Sequence, residues 1–325
     1  MQSNVLITSA GRRGVLVGLF QKAISMLSPG GCVYAGDLHP KLSSACQLAD
    51  GAVATPPILD PGYIDFLLEF CEDRSINVVV PTIDTDLRLL AENRQRFLSA
   101  GTNVVISDVE LVAQCRDKRL TPALFSQYGI SSPTPVDPLN EPMFPLIAKP
   151  IDGSSSNNLH IIAERNELRP EIITDPSLLF FKYLTPDEHD EYTVDMYFDR
   201  GGVLKCLIPR LRIATRAGEV SKSKTVRIAS IDFLREKFRY VKGARGCLTG
   251  QFFERHHDGK LFGIEVNARF GGGYPLSCES GANFPEWIVR EYCLEEQVDY
   301  FDEWEDQLTM LRYDEHVLVR GPSAA

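Results

Sequence analysis

Glu265, Asn267 and Arg269 follow one another at intervals of two within the run GIEVNARFGGG, residues 263 to 273. In an extended segment residues i, i+2 and i+4 face one side, so these three line a cleft while Phe262, Ile264 and Val266 face a core. Two oxygen donors and a cation so placed suit a metal-bound polyphosphate, and Gly271 to Gly273 can bring backbone N–H groups close to an anion. A second hairpin arm precedes them: LTGQFFER, 248 to 255, runs into His256, His257, Asp258 and Gly259, and Asp-Gly marks a turn. Opposed residues of an antiparallel pair share a face, so Gln251 joins Glu265 and Asn267 only if the register pairs it with one of them. That requires an odd-length loop, such as three residues with a bulge at Gly259. Hard oxygen donors that leave places for water and phosphate fit Mg²⁺ or Mn²⁺ better than zinc.

Gln251 followed by Glu265, Asn267 and Arg269 resembles the metal-binding end of the ATP-grasp superfamily, with the nearest likeness to single-unit relatives of the carbamoyl-phosphate synthase large chain. The resemblance implies an α/β and α+β chain: an N-terminal parallel-sheet pre-ATP-grasp domain followed by a two-lobed ATP-grasp fold. It implies that Gln251, Glu265 and Asn267 hold divalent ions bridging the phosphates of ATP, and that Arg269 stabilises the transferring phosphoryl group. Lys118 and Lys149 match the basic residues that touch those phosphates, and Ser154, Ser155 and Ser156 match the flap over them. The backbone of Lys182, Tyr183 and Leu184 matches the hinge that recognises adenine, although Phe181 and Lys182 stand where many relatives have a glutamate. Glu191, opening EYTVD, matches the carboxylate that binds the ribose hydroxyls, a task an acceptor-only group suits.

These side chains need elements to hold them. NVLITSA (4 to 10) reads as a buried strand, GRRG opens a helix through Leu16, Leu19, Phe20 and Ile24, and CVYAGD (32 to 37) is the next strand. Helices over 63 to 72 and 85 to 98 then alternate with strands over 77 to 82 and 103 to 107, which predicts a mainly parallel sheet. Ligands sit outside the carboxyl ends of such strands, so Ser9, Gly11, Arg12, Arg13, Asp37, Thr82, Asp84 and Asp86 are cleft candidates. Gly11, Gly14 and Asp37 partly imitate a dinucleotide fingerprint, but Ser9 takes the place of its first glycine and two arginines occupy the turn. The resemblance instead makes this half a holder of the acceptor substrate, with Arg12, Arg13, Asp84, Gly272 and Gly273 as its contacts.

In the middle of the chain, Asp117 and Lys118 open a helix that ends at Gly129, and FPLIAKP (144 to 150) is a strand carrying Lys149. DGSSSNNL (152 to 159) is short and polar, able to close over phosphates, but lacks the GK[ST] of a P-loop. Arg210, Arg212, Lys222 and Lys224 recur at even spacing on two strands, which predicts a cationic hairpin face for an acyl-phosphate or carboxylate, with Arg210 the favoured residue. A helix over 283 to 292 and a final strand near 309 to 313 complete the chain. Boundaries near residues 112 and 186 divide it into a pre-ATP-grasp domain (1–112), a lid subdomain (113–185) and a catalytic subdomain (186–325).

A formal charge of −10 over 325 residues disfavours a nucleic-acid partner, which would call for a dense basic face. No apolar run reaches membrane-spanning length, so no membrane partner is expected and the cytoplasm is the default. Eight cysteines without a CxxC pair fit reduced thiols rather than a zinc ribbon. The resemblance implies an ATP-dependent carboxylate-amine ligase with small-molecule carboxylate and amine substrates, working through an acyl-phosphate and releasing ADP and phosphate. Phosphorylation of a carboxylate or carbamate in the manner of the synthase, and a nucleotide-binding sensor without ligase activity, are the alternatives. A homodimer is left open.

Overall fold

The apolar runs of the N-terminal third pair as a parallel sheet. In a computed structural model that describes residues 2–140, 143–151, 158–216 and 218–320, the first five strands are β1 (Asn4–Thr8), β2 (Val33–Asp37), β3 (Gly51–Ala54), β4 (Ile76–Pro81) and β5 (Asn103–Val104). Their order is β3-β2-β1-β4-β5, every pair parallel. Val5, Leu6, Ile7, Val78, Val79 and Val80 are buried in succession, as a sheet built from βαβ crossovers requires. The order reverses between β1 and β4. This is the topological switch point, outside whose strand ends ligands bind.

Two antiparallel sheets follow. β6 (Pro135–Val136), β7 (Leu146–Pro150), β8 (His160–Ile162) and β9 (Leu178–Lys182) are ordered β6-β9-β7-β8, around a small core of their own that includes Leu146, Ala148, Ile162 and Phe180. β10 (His189–Phe198), β11 (Leu204–Arg216), β12 (Glu219–Thr225), β13 (Gly246–Arg255), β14 (Leu261–Asn267) and β15 (Thr309–Leu311) are ordered β14-β13-β10-β11-β12-β15. Their core is continuous with that of the parallel sheet, so the two present their cleft residues from one packed body.

The expected helix from Asp117 does not form as one piece. A helix Val109–Arg116 ends at Asp117, whose backbone is extended, and a second helix, Thr121–Gln127, begins with proline in its first turn. The Asp117 carboxylate accepts from Arg119 Nη2 at 2.6 Å and from Arg119 N at 2.9 Å, a local bond that competes with helix continuation. Lys118 is thereby in the break, its N–H donating to Ile151 O at 3.0 Å just beyond the strand that carries Lys149.

The hairpin β13–β14 reaches its functional register by a route the turn does not supply. Glu254 pairs with Leu261 and Phe252 with Gly263, a register that continued would set Gln251 opposite Ile264. One extra residue, Ile264, is accommodated between Gln251 and Phe252 on the partner strand, so Gln251 opposes Glu265 and Thr249 opposes Asn267. A bulge of this kind shifts the facing of everything beyond it. Phe262, opposite Phe253, therefore lies on the same face as Gln251, while Val266, opposite Gly250, lies on the other. Phe262, Ile264 and Val266 do not form the single apolar face expected. Gly259 has φ +66° in the turn as anticipated, but the parity comes from the strand.

Candidate active site

Cross-strand pairing assembles two polar rows on one face of the six-stranded sheet. Glu265 opposes Gln251, Gln251 opposes Thr193, and Thr193 opposes Arg210. Two residues along, Asn267 opposes Thr249 and Thr249 opposes Asp195. Opposed residues share a face, and all of these except the buried Asp195 line a cleft of about 410 Å³. The opposite wall is the switch point of the parallel sheet: Ser9, Gly11, Arg12 and Arg13 after β1, Thr82 and Asp84 after β4.

The oxygen donors are held in place by their neighbours. Gln251 Nε2 donates to Glu191 Oε1, which leaves the Gln251 carbonyl oxygen available. Asn267 Nδ2 donates to Glu265 Oε1 at 3.2 Å, while its amide oxygen accepts a long bond from Arg269 Nη2 at 3.5 Å. One carboxylate and two amide oxygens, all half-buried on a cleft wall, are an incomplete shell for a hard divalent ion, of the kind that keeps water and substrate phosphate as further ligands. The donor set fits Mg²⁺. Among the described residues no cluster of three or more His, Cys, Asp or Glu side chains could hold a metal instead.

Cations surround this wall. Arg269 lies beyond the end of β14, where a tight turn closed by Arg269 N to Asn267 O at 2.8 Å takes over from the strand alternation expected to place it. Its Nη2 reaches Asp84 Oδ2 at 2.6 Å, joining the two walls. Lys149 stands with its Nζ 4.6 Å from the Phe181 ring centre. Burial pushes its ammonium down to about 8, against the attraction of Glu265 and with the help of Lys118. Lys118 lines an adjoining cavity of about 330 Å³ that shares Asp84, Glu265 and Asn267 with the cleft.

Arg210 is 1% exposed and forms a two-pronged pair with Asp195, Nε to Oδ2 at 2.8 Å and Nη2 to Oδ1 at 3.1 Å. Ser277 Oγ also donates to Asp195 Oδ2, at 2.6 Å. Asp195 and Ser277 were not singled out from the sequence; Asp195 is the last residue of EYTVD, and its only signal was an acid within the apolar part of the strand, between Val194 and Met196. The cationic hairpin face shrinks to Arg210 and Arg212. Lys224 opposes Leu211 while Ser223 opposes Arg212, so Lys224 faces the other side, and Lys222 is paired with Ala214 beyond a register shift.

Two family models match the chain. The one described as the PylC-like N-terminal domain covers residues 5–105, and the one described as ATP-grasp in the biosynthetic pathway with Ter operon covers residues 174–315. The chain has an ATP-grasp fold. Solved structures share the ATP-grasp fold. The biotin carboxylase domain of Hydrogenobacter thermophilus 2-oxoglutarate carboxylase, in complex with MgADP, ADP and bicarbonate, is 14% identical with a TM-score of 0.69 over 95% of this chain and 73% of that one. N5-carboxyaminoimidazole synthetase from Staphylococcus aureus is 15% identical with a TM-score of 0.69 over 92% and 80%. An L-amino acid ligase from Bacillus licheniformis is 15% identical with a TM-score of 0.66 over 90% and 74%. No curated protein sequence matches the chain.

Against the ATP-grasp frame, the expected residues fall into three groups. Gln251, Glu265, Asn267, Arg269, Arg210, Arg12, Arg13, Asp84, Gly272 and Gly273 all line the one cleft, and Lys118 lines the cavity beside it. Lys149 on β7, Lys182 at the end of β9, and Tyr183 and Leu184 just after it lie outside the lining of both cavities. The Tyr183 N–H is already given to Pro145 O at 2.9 Å. Glu191 is also outside that lining, engaged by Gln251 and by Arg212 Nε at 3.0 Å. Ser154, Ser155 and Ser156 lie outside the described residues. Asp37 and Asp86 leave the cleft set. Asp37 accepts from Gly11 N and His39 N, both at 2.9 Å, bracing the loop after β1, and Asp86 is fully buried beneath Thr8 and Ser9. Glu219 and Arg312 were missed, and both line the cleft.

Proposed function

We propose that the chain is an ATP-dependent ligase that activates a substrate carboxylate as an acyl-phosphate and joins it to an amine, releasing ADP and phosphate. The observation that carries this reading is the convergence of Gln251, Glu265, Asn267 and Arg269 on a cleft whose other wall is the switch point of the parallel sheet. Oxygen ligands for a nucleotide-bound ion and cations for an acid substrate therefore face each other across one space. Gln251, Glu265 and Asn267 would hold Mg²⁺, which when bound offsets charge on the ATP phosphates. Lys118 and Lys149 add positive charge on the nucleotide side, and Arg269, fixed by Asp84, is placed to meet the transferring phosphoryl group.

In the proposed sequence a carboxylate oxygen of the acid attacks the terminal phosphorus and the bond to ADP breaks. The amine nitrogen then attacks the acyl carbon, the C–O bond to phosphate breaks with its electron pair, and the nitrogen's proton passes to phosphate or water. Positioning and fixed charge carry both steps, so no side-chain nucleophile is needed. On this reading the chain divides its labour by sequence, with 1–112 for the acceptor side, 113–185 for the lid and 186–325 for the phosphate and metal wall. Among the described residues no helix is long and apolar enough to cross a membrane.

The test is ADP release with ATP and Mg²⁺ across a matrix of carboxylic acids and amines, with products weighed by mass spectrometry. ADP formed only when an acid and an amine are both present, together with the mass of the amide, is expected. ADP formed with acid alone and trapped by hydroxylamine as a hydroxamate would favour simple carboxylate phosphorylation. Tight ATP binding without ADP release from any pair would favour a nucleotide sensor.

A further inference from the structure

The charge balance of the cleft goes further than its fold. Six arginines line it, Arg12, Arg13, Arg210, Arg212, Arg269 and Arg312, against three carboxylates, Asp84, Glu219 and Glu265. Asp84 is taken by Arg269 at 2.6 Å. Arg210 and Arg212 have carboxylates of their own from β10, Asp195 and Glu191. On the acceptor side that leaves Arg12, Arg13 and Arg312 around Glu219 alone. Glu219 is shared by Arg12 and Arg312 at 3.3 Å each. Arg13 has no carboxylate within 4 Å among the described residues; the one hydrogen bond of its guanidinium there is Nη2 to Thr82 O at 3.5 Å.

Arg13 is half-buried. Burial, and then the neighbouring Arg269, push its guanidinium down to about 10, while Glu219 and Asp84 pull the other way. A desolvated cation without a partner is costly unless something anionic arrives. A second, independent feature lies on the same wall. Arg210 Nη1 is buried and has no hydrogen-bond acceptor, its other nitrogens being committed to Asp195. It abuts the glycine loop, for a Cβ added to Gly273 would stand 2.3 Å from Arg210 Nη1, and one added to Gly272 would stand 3.6 Å from Arg13 Nη1. Arg13 and Arg210 thus flank Gly272 and Gly273 from opposite sheets, with the Glu219 carboxylate beside Arg13 at Gly272 and Val220 beside Arg210 at Gly273.

We propose that the acid substrate carries a second anionic group, a carboxylate or a phosphate, besides the carboxylate that is activated, and that Arg13, Arg312 and Arg210 form the subsite for it. The inference rests on the ligase reading for the fate of the first carboxylate, whereas the subsite itself rests on the arginines. Arg13 supplies a planar fork suited to bidentate recognition, and Arg312, on the segment following β15, holds the outer edge. A monoanionic acid would leave one of these cations unmatched, which sets a dianionic acid apart from a plain aliphatic or zwitterionic one.

Calorimetric binding to the full chain, saturated with Mg²⁺ and a non-hydrolysable ATP analogue, tests this with matched probes: succinate against butyrate, glutamate against glutamine, and O-phosphoserine against serine. At least tenfold tighter binding of one dianionic series over its monoanionic partners is expected, and the carboxylate and phosphate arms identify which group the subsite prefers. Arg13→Gln should erase that preference while leaving the affinity for the ATP analogue within twofold, and Arg13→Lys should restore only part of it. Equal binding of dianions and monoanions, or a preference that survives Arg13→Gln, overturns the subsite. Discrimination among acids without ADP release from any acid and amine pair would instead overturn the ligase reading and leave the subsite standing. Circular dichroism of both variants separates a lost subsite from a lost fold, and if Arg13→Gln is unfolded the Arg13→Lys and Arg312→Gln preferences decide.

Discussion

Lys149 gives the sharpest pH test of the nucleotide side. Its ammonium is lowered from 10.5 to about 8, first by burial, then by Lys118, with Glu265 opposing. Phosphates bound beside it would favour the charged form and return the group toward its ordinary value, so nucleotide binding above pH 8 must take up a proton. The sign follows directly: affinity is independent of this group below about pH 8 and falls as pH rises, close to tenfold per unit, until the ordinary value is reached. A lowering from 10.5 to about 8 corresponds to about 3 kcal/mol of coupling at most. Lys149→Arg keeps a charge through this range and should flatten the profile. Titration calorimetry with an ATP analogue at pH 7, 8, 9 and 9.5, in two buffers of different ionisation enthalpy, reads both affinity and proton uptake. No proton uptake by the native chain at pH 9, or the same slope in Lys149→Arg, would refute the placement of Lys149 beside the phosphates. Without nucleotide the linkage runs the other way, since the folded chain holds fewer protons than the unfolded one between about pH 8 and 10.5 and its stability rises across that window.

Glu265→Gln and Asn267→Ala should each lower ADP formation by about 100-fold or more, in line with loss of a preorganised electrostatic contact, with an unchanged circular dichroism spectrum; normal turnover in either would reject the metal assignment. Gly273→Ala drives a Cβ to 2.3 Å from Arg210 Nη1 and 3.1 Å from Val220, so it should disable turnover more than Gly18→Ala, where the added atom meets nothing within 4 Å. Asp195→Ala strands the buried Arg210 and should cost about 3–5 kcal/mol in urea unfolding, the usual penalty for removing one half of a buried pair. Asp86 is fully buried and burial raises its carboxyl to about 7, despite hydrogen bonds from Thr8 and Ser9. A raised carboxyl makes the folded state the better proton binder, so its contribution to stability is present below about pH 4 and is lost as pH rises through about 7. Asp86→Asn should remove that dependence and be the more stable form at pH 8 by a few kcal/mol; a variant with the native slope would show that Asp86 is not the group responsible.

Local spacing carried much of the site. Residues two apart on strands are read directly from the sequence, so Glu265 and Asn267 could be put on one face, and the apolar runs around Val5 and Val78 announced a parallel sheet whose switch point holds Arg13 and Asp84. What escaped depends on partners rather than on spacing. Ile264 looks like any β-branched strand residue, and only its pairing with β13 reveals that it is the extra residue on which the Gln251–Glu265 register turns. Lys222 and Lys224 were grouped with Arg210 and Arg212 by even spacing within each strand, but the facing between strands is set by register, which opposes Lys224 to Leu211. Arg269 fell on the right wall for a different reason from the one expected, held there by Asp84 rather than by strand alternation.

Charge is the least local property of all. Arg12 and Glu219 are 207 residues apart in the chain, yet they face each other across the cleft, and Arg312 arrives from the segment beyond the last strand to share the same carboxylate. No window of sequence containing GRRG indicates whether its second arginine will be matched. A run of like charges on the page is ordinarily solvated and neutral in consequence; the same run becomes a demand for an anion only when packing removes the water and brings too few acids. Arg13 is that case. The proposed reaction could be approached from the spacing of Glu265, Asn267 and Arg269, because a metal-ligand set can be read from near neighbours, but the proposed substrate follows from an imbalance summed over separate parts of the chain.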